Sequence, residues 1–454
     1  MQLDMTKGKP LPVILKFTIP LVIGNIFQQL YNMADTIIVG RYVGAGALAA
    51  VGSTGTIMFL VIGFSQGITS GFSILTSQRY GAGDGRGVRR SVANGILLAF
   101  LAGLLLTLFC SLSMGALLRL MNTPEDIFQD AYAYIMIICG GFLANIFYNL
   151  FSAYLRAVGN SQVPLFVLVF SACLNVVLDL AFIMGLGLGV AGAAWATVLS
   201  QAVSAILCAG YIFKKEKLLA PEPGEWRLSS SESRYQLAAG IPMALQFAIT
   251  ASGGMIMQSA INLFGSQAVA AYTAAGKLQN LVTQAMVAMG QTMATYGGQN
   301  FGKGDVGRIR AGVRAGILAE GVYAVFAAGF LYLFTKPALG LFFSGEAALD
   351  AMVPWAETYL YMCALFFIPL SFIFIFRNVM QGCGYGFLPM MGGVVELFAR
   401  LVTAFAAMKL MSYPLACFCD PAAWTGARVF TGIAYLFVIR KIEAQLKGKE
   451  PGGR

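Results

Sequence analysis

A carboxylate inside an apolar helix is a group that must find a proton, a cation or a polar partner, and this chain carries one early. From Ile19 to Val39 the sequence is predominantly apolar, with Pro20 at its start and Asp35 toward its far end. That run is close to the ~20 residues a helix needs to cross a bilayer. A charge at the centre of such a helix costs ~2.5 to 3.5 kcal/mol, so Asp35 is expected to face a cavity or a polar partner; nearer the interface it would only cap the helix. Asn175 and Asp179, four residues apart in a later apolar run, share one helix face and can look into the same cavity. Glu396 and Arg400 stand at the same spacing and can neutralise each other within their helix. Lys277 and Glu320 also fall inside apolar runs, where Lys277 can snorkel toward an interface. Histidine is absent, so a proton carried across the membrane must use carboxylates, tyrosine, asparagine or water.

These residues need a scaffold, and composition says which kind. With 454 residues, 58 % of them hydrophobic and 11 % charged, the chain cannot hide its apolar side chains in one soluble core and reads as a polytopic membrane protein. Twelve helices of membrane length fit, the first from Val13 to Val39 and the last from Tyr413 to Val438. The polar start, Met1 to Lys9, leads to no cleavage site, so the first helix is expected to stay. The net charge of +10 is explained by topology and not by nucleic acid, because the cations fall between alternate helices. Arg79, Arg89, Arg156, Lys214, Lys303, Arg377 and Arg440 are assigned to the inner side, which puts both termini in the cytoplasm. The eight cysteines show no zinc spacing and are read mainly as packing residues.

The chain also repeats itself. Gln78 to Asp84 returns as Gln299 to Asp305, an offset of 299 − 78 = 221, and Ile19-Pro20 returns as Ile241-Pro242. Farther on, Gly159 and Pro164 match Gly384 and Pro389 at an offset of 225. The expected organisation is a six-helix lobe over 1-213, a hydrophilic linker over 214-234 and a second six-helix lobe over 235-454. An even number of helices per lobe makes the repeat parallel, with a pseudo-two-fold along the membrane normal, the usual skeleton for alternating access.

Taken in order, the first helix with Pro20 and Asp35, the Gln78 to Asp84 loop, Leu155 to Asn160, Asn175 with Asp179, and Gly192 to Thr197 resemble the multidrug and toxic compound extrusion (MATE) transporters. The resemblance covers Pro20 to about Val438. It implies a plasma-membrane exporter that exchanges cationic or amphipathic compounds, drugs among them, for inward-moving H⁺ or Na⁺. It further implies a cation site built from Asp35, Tyr134, Asn175, Asp179 and Thr197, with no cofactor beyond the coupling ion. Carboxylate, amide and hydroxyl oxygens suit sodium, and burial favours a neutral carboxylic acid, so the residues leave H⁺ and Na⁺ both open.

Pro20 leaves a carbonyl of the preceding turn unbonded, and bending there on neutralisation of Asp35 would narrow the cavity; a static kink is the alternative. In the second half Asn175 maps to Arg400 and Asp35 to Ile256 or Met257, so Glu396 and Arg400 are expected to form a structural pair there. Gln28, Gln29, Asn32, Gln246, Gln258 and Gln284, with Met257, Met286 and Met289, are candidates to line a substrate cleft. A lipid-linked precursor flippase is the alternative function, with Lys277, Arg400 and Arg428 as the cations available for a diphosphate. Gly81-Ala82-Gly83-Asp84-Gly85 lacks the Lys-Ser/Thr of a phosphate loop and is read as an interhelical turn, and no enzymatic motif stands out. The protein is expected to be a monomer surrounded by membrane lipid.

Overall fold

The computed structural model describes residues 3–121, 123–340 and 346–447, and the two termini therefore lie outside the described residues. Long apolar stretches with few internal breakers become helices, because only a helix satisfies every backbone N–H and C=O within its own segment in lipid. The first six spans are α1 (Pro10–Tyr42), α2 with α3 (Ala45–Ser53, Gly55–Gly81), α4 (Gly85–Leu120), α5 with α6 (Glu125–Gly140, Phe142–Ala157), α7 (Gln162–Leu180) and α8 (Gly189–Lys215). The second six are α9 (Ser230–Ile261), α10 (Ser266–Lys303), α11 (Val306–Leu339), α12 with α13 (Glu346–Leu365, Phe367–Gly382), α14 (Phe387–Leu410) and α15 with α16 (Tyr413–Cys417, Cys419–Lys447). The fold is that of an all-α integral membrane protein with twelve spans in two six-helix bundles. Large apolar side chains such as Leu105, Phe109, Phe326, Leu333 and Phe437 are exposed along the helices, as a lipid solvent requires. Nine spans and two bent pairs are apolar enough to be recognised by composition among the described residues. The twelfth, α10, is 38 residues long but carries Lys277, Gln279, Asn280, Gln284 and Gln291.

The repeat has the same physical basis in both halves. Gly83 (φ 72°) and Gly304 (φ 79°) adopt the left-handed conformation that ends a helix, and the next residue, Asp84 or Asp305, caps the following one. Asp84 accepts from the Gly87 amide and Asp305 from the Arg308 amide, each at 2.8 Å. The glycine-rich loop is thus an interhelical turn, as its sequence indicates.

The chain divides into two compact units, but not at the hydrophilic linker. The first holds Met1–Asp4 with Ile19–Phe247, and the second holds Met5–Thr18 with Ala248–Arg454. Both proline-bearing helices therefore change units part-way: α1 between Thr18 and Ile19, two residues before Pro20, and α9 between Phe247 and Ala248. In the first unit α3 meets the start of α9 without side chains between them. A Cβ on Gly71 would lie 2.2 Å from the Cα of Gly240, and one on Gly67 2.6 Å from the Cα of Ala244. Small residues four apart allow this backbone approach in the absence of a hydrophobic drive between lipid-solvated helices. The repeat counterparts in the second unit are Thr292 and Thr18, whose hydroxyls hydrogen-bond at 2.8 Å.

Residues 214–234 belong to the first unit and are clamped to α4. Arg89 donates Nε to Glu225 at 2.8 Å and a terminal nitrogen to its other oxygen at 3.1 Å, the two-point fork that guanidinium and carboxylate geometry favours. This contact first, and the Glu222 backbone amide after it, hold the Glu225 carboxyl below the usual carboxylate range. Asn94 accepts from the Ser229 amide and donates to Gln236, both at 2.8 Å, fixing the entry into α9.

Candidate cation site in the first unit

The site lies where α1, α5, α7 and α8 meet within the first unit. Small residues let α8 pack closely on its neighbours: Gly192, Ala193, Ala194 and Ala196 are all buried on it, and a Cβ on Gly192 would meet Phe182, just past the end of α7, at 3.1 Å. This closeness encloses the polar face of α7, leaving Asn175 1 % and Asp179 0 % exposed. With its amide nitrogen turned toward the carboxyl, Asn175 donates to Asp179 at 3.1 Å while its oxygen accepts from the Thr197 amide at 3.2 Å. The Thr197 hydroxyl donates to the Ala193 carbonyl at 3.1 Å. Two residues after Asp179 the helix widens into a π turn over Ala181–Gly185, a distortion frequent where helices carry function.

Asp35 reaches this pocket from α1. Its carboxyl lies within hydrogen-bonding reach of the Asp179 carboxyl. Among the described residues neither Oδ1 atom finds a donor, and no cationic side chain adds to the field at either group. Two carboxylates in contact repel unless a proton or a cation is shared between them. Tyr134 of α5 is buried beside both acids. Tyr31, which the sequence analysis did not single out, makes a side-chain hydrogen bond with Thr197 and lies in the field of Asp35. The signal for it was its position four residues before Asp35, on the same face of α1. All five residues named for the site converge, and Tyr31 makes a sixth.

The proposed cleft residues divide. Gln28, Gln29, Gln246 and Gln284 are half-buried and Asn32 is exposed on its helix. Gln258 is half-buried and donates to Asn262 at 2.7 Å. Met257, Met286 and Met289 do not line an open surface: all three are buried, the first two within the apolar core of the second unit and Met289 against Thr18. Their flexible thioethers fill gaps between helices, which corrects the cleft assignment.

Comparison with known proteins decides the family. The MatE family profile matches residues 20–181 and 242–406, one stretch in each half. The chain belongs to the MatE family. It is 29 % identical over 448 residues to the probable multidrug resistance protein YpnP of Bacillus subtilis (strain 168), covering 96 % of this chain and 94 % of that one. A probable multidrug resistance protein NorM of Thermotoga maritima is 25 % identical, over 91 % of this chain and 88 % of its own. The fold superposes on a MATE protein crystallised in complex with MaL6 at a TM-score of 0.90, with 22 % identity and 98 % and 99 % of the two chains covered. MatE proteins are membrane transporters of the multidrug efflux type and not enzymes.

The second half of this MatE chain holds a different arrangement. Glu396 and Arg400 do meet, at 3.6 Å, yet each has a closer partner. Arg377 of α13 donates to Glu396, and Arg400 donates to Asp420 of α16 at 2.9 Å. Tyr359 of α12 joins Asp420, at 3.1 Å, to Gln279 of α10. The expected pair is therefore the centre of a buried chain of four alternating charges linking three helices. Arg377, read from sequence as an inner-side cation, is a buried member of that chain. Its neighbour Glu396 lies on a different helix, so linear spacing does not reveal the contact.

Proposed function

We propose that this MatE protein is a secondary antiporter that exports cationic or amphipathic organic compounds in exchange for H⁺ or Na⁺. The observation that carries this reading is the Asp35 and Asp179 pair, brought together with Asn175 and, among the described residues, with no cationic side chain beside it. A proton or a sodium ion taken from one side relieves the repulsion between the carboxylates, and its release to the other side restores it. The loaded and unloaded pair thus favours two positions of the outer half of α1, and that difference couples ion entry to drug release. Pro20 supports the mechanical link. It removes the hydrogen bond to the Lys16 carbonyl, next to the point where α1 passes from one unit to the other. The relatives' names, probable multidrug resistance proteins, support drugs as the substrates. The cell membrane, with both termini cytoplasmic and the protein monomeric, is the setting this reading requires.

The flippase alternative loses ground on the cations it needs. Arg400 is held by Asp420 and Glu396, Arg428 lies over the Phe372 ring at 5.0 Å, and Lys277 is engaged as well. Efflux of ethidium from proteoliposomes under separately imposed pH and sodium gradients tests the antiport reading. Ethidium movement should follow one gradient and fail in Asp35→Asn and Asp179→Asn. Transport that ignores both gradients, or survives in both variants, would exclude it.

A further inference from the structure

Glu320 lies in the middle of α11, 14 residues into a 34-residue helix, or about 21 Å along an axis of about 51 Å. It is 2 % exposed, and its Oε2 atom is buried without a hydrogen-bond partner. One turn earlier, a Cβ on Gly316 would meet the Met293 sulfur of α10 at 3.3 Å and Ile375 of α13 at 3.6 Å. Three residues later, Tyr323 donates its hydroxyl to the Val282 carbonyl of α10 at 2.6 Å. Glu320 is therefore bracketed on the face of α11 that covers α10 between Val282 and Met293, and the Tyr323 hydroxyl is already spent on Val282. The charged groups of the packed helices are Lys277 and Lys303 on α10, Asp350 and Glu357 on α12, Arg377 on α13 and Asp420, Arg428, Arg440, Lys441, Glu443 and Lys447 on α16; Arg314 is the nearest on α11 itself. Among the described residues none of them contributes to the field at Glu320. Tyr323 is its titratable neighbour.

A carboxyl kept for structure would be expected to hold a donor, since buried polar groups are almost always paired. The repeat counterpart of Glu320, at the 221-residue offset, is the buried Ala99 of α4, so the fold does not need an acid here. An unpaired carboxylate is far costlier to enclose than the neutral acid. The group can exist as an acid while its surroundings are closed and as a carboxylate only when water reaches them, which ties proton occupancy to conformation.

We propose that Glu320 is a second proton-carrying site, seated in the second unit and separate from the Asp35 and Asp179 pair. It rests on the antiport reading above. Each cycle would take one H⁺ from water on one side onto the Glu320 carboxylate and return it to water on the other.

The test uses the full-length protein in liposomes, with ethidium as substrate, and compares wild type, Glu320→Gln and Glu320→Asp. At flux balance without a membrane potential, removing one of the coupled protons lowers the limiting ethidium ratio about tenfold for each tenfold proton gradient. Glu320→Gln should show that drop while still transporting, and Glu320→Asp, which keeps an acid, should restore it. Infrared difference spectra of the same samples should lose a carboxylic C=O band in Glu320→Gln when pH is stepped. An unchanged limiting ratio with an unchanged band would overturn the proposal. If wild type shows no gradient-driven accumulation, the antiport reading fails by itself, and the infrared band alone decides whether Glu320 exchanges its proton. If Glu320→Gln does not fold, a shift of the same band in Glu320→Asp supports the site, and its absence refutes it.

Discussion

The two units use one skeleton for opposite electrostatic ends. At equivalent places in the repeat the first unit has Tyr31, Asp35, Tyr134 and Asn175, and the second has Gly253, Met257, Tyr359 and Arg400. Replacing Tyr31 by a glycine opens room: a Cβ on Gly253 would lie 2.9 Å from an Arg400 guanidinium nitrogen. Replacing Asn175 by arginine introduces a charge, and Glu396, Asp420 and Arg377 balance it into a neutral chain. The first unit leaves two acids unbalanced. What the difference teaches is that the first unit's acid pair lacks the counter-charge the second unit supplies, although the tyrosine and the helix arrangement are present in both halves; the proposed ion uptake rests on that lack.

The hardest blow to this contrast should come from Glu396→Ala, which strips a common partner from Arg377 and Arg400. A loss of about 3 to 5 kcal/mol, the usual cost of breaking a buried pair, is expected in unfolding measured in detergent. Should Glu396→Gln instead abolish transport with stability intact, the second chain would be functional and the contrast would fall. Next, Asp35→Asn or Asp179→Asn should lower gradient-driven efflux about a hundredfold or more, equivalent to about 2.7 kcal/mol, without comparable destabilisation. The mirror substitution Met257→Leu, at the counterpart of Asp35, should leave efflux close to wild type.

Smaller effects sharpen the comparison at the helix crossings. Gly71→Ala drives a methyl into the Gly240 backbone and should cost about 1 to 3 kcal/mol. Thr292→Ala, in the other half, removes only a hydroxyl pair and should cost about 1 kcal/mol. The smallest concerns the linker clamp. Because Arg89 lowers the folded-state value of Glu225, the clamp stabilises fully above the unfolded carboxylate value of about 4.3 and fades as pH falls through the folded one. Melting temperatures of wild type and Glu225→Gln should therefore differ at neutral pH and converge in acid.

Much of this was legible in the sequence because lipid imposes simple rules. Length and apolarity located the spans, the 221-residue offset paired the halves, and Gly81 to Gly85 read as an interhelical turn. Asp35 and the Asn175 to Asp179 spacing pointed to a shared cavity because a carboxylate in lipid is conspicuous. The ion chain escaped for the opposite reason. Arg377 stands near the end of its helix and so resembles a loop cation, while Asp420, beside Pro421 inside the expected last helix, has no charged partner at helical spacing to mark it. Only tertiary packing brings either to α14. The breaks within single spans, at Thr54, Gly141, Phe366 and Phe418, were equally invisible, since a bend need not interrupt an apolar run. Unit boundaries escaped as well, because composition marks the hydrophilic linker while contacts follow the two proline-bearing helices.

That last exchange constrains how the molecule can be made. The ribosome emits residues 5–18 before any other part of the second unit, and the first unit waits for residues 235–247, beyond the linker, to be finished. A gene cut at the linker would thus yield two fragments, each holding a piece the other needs. Separate production should give incomplete bundles, and co-translation of the two fragments in one membrane should be required to rebuild either.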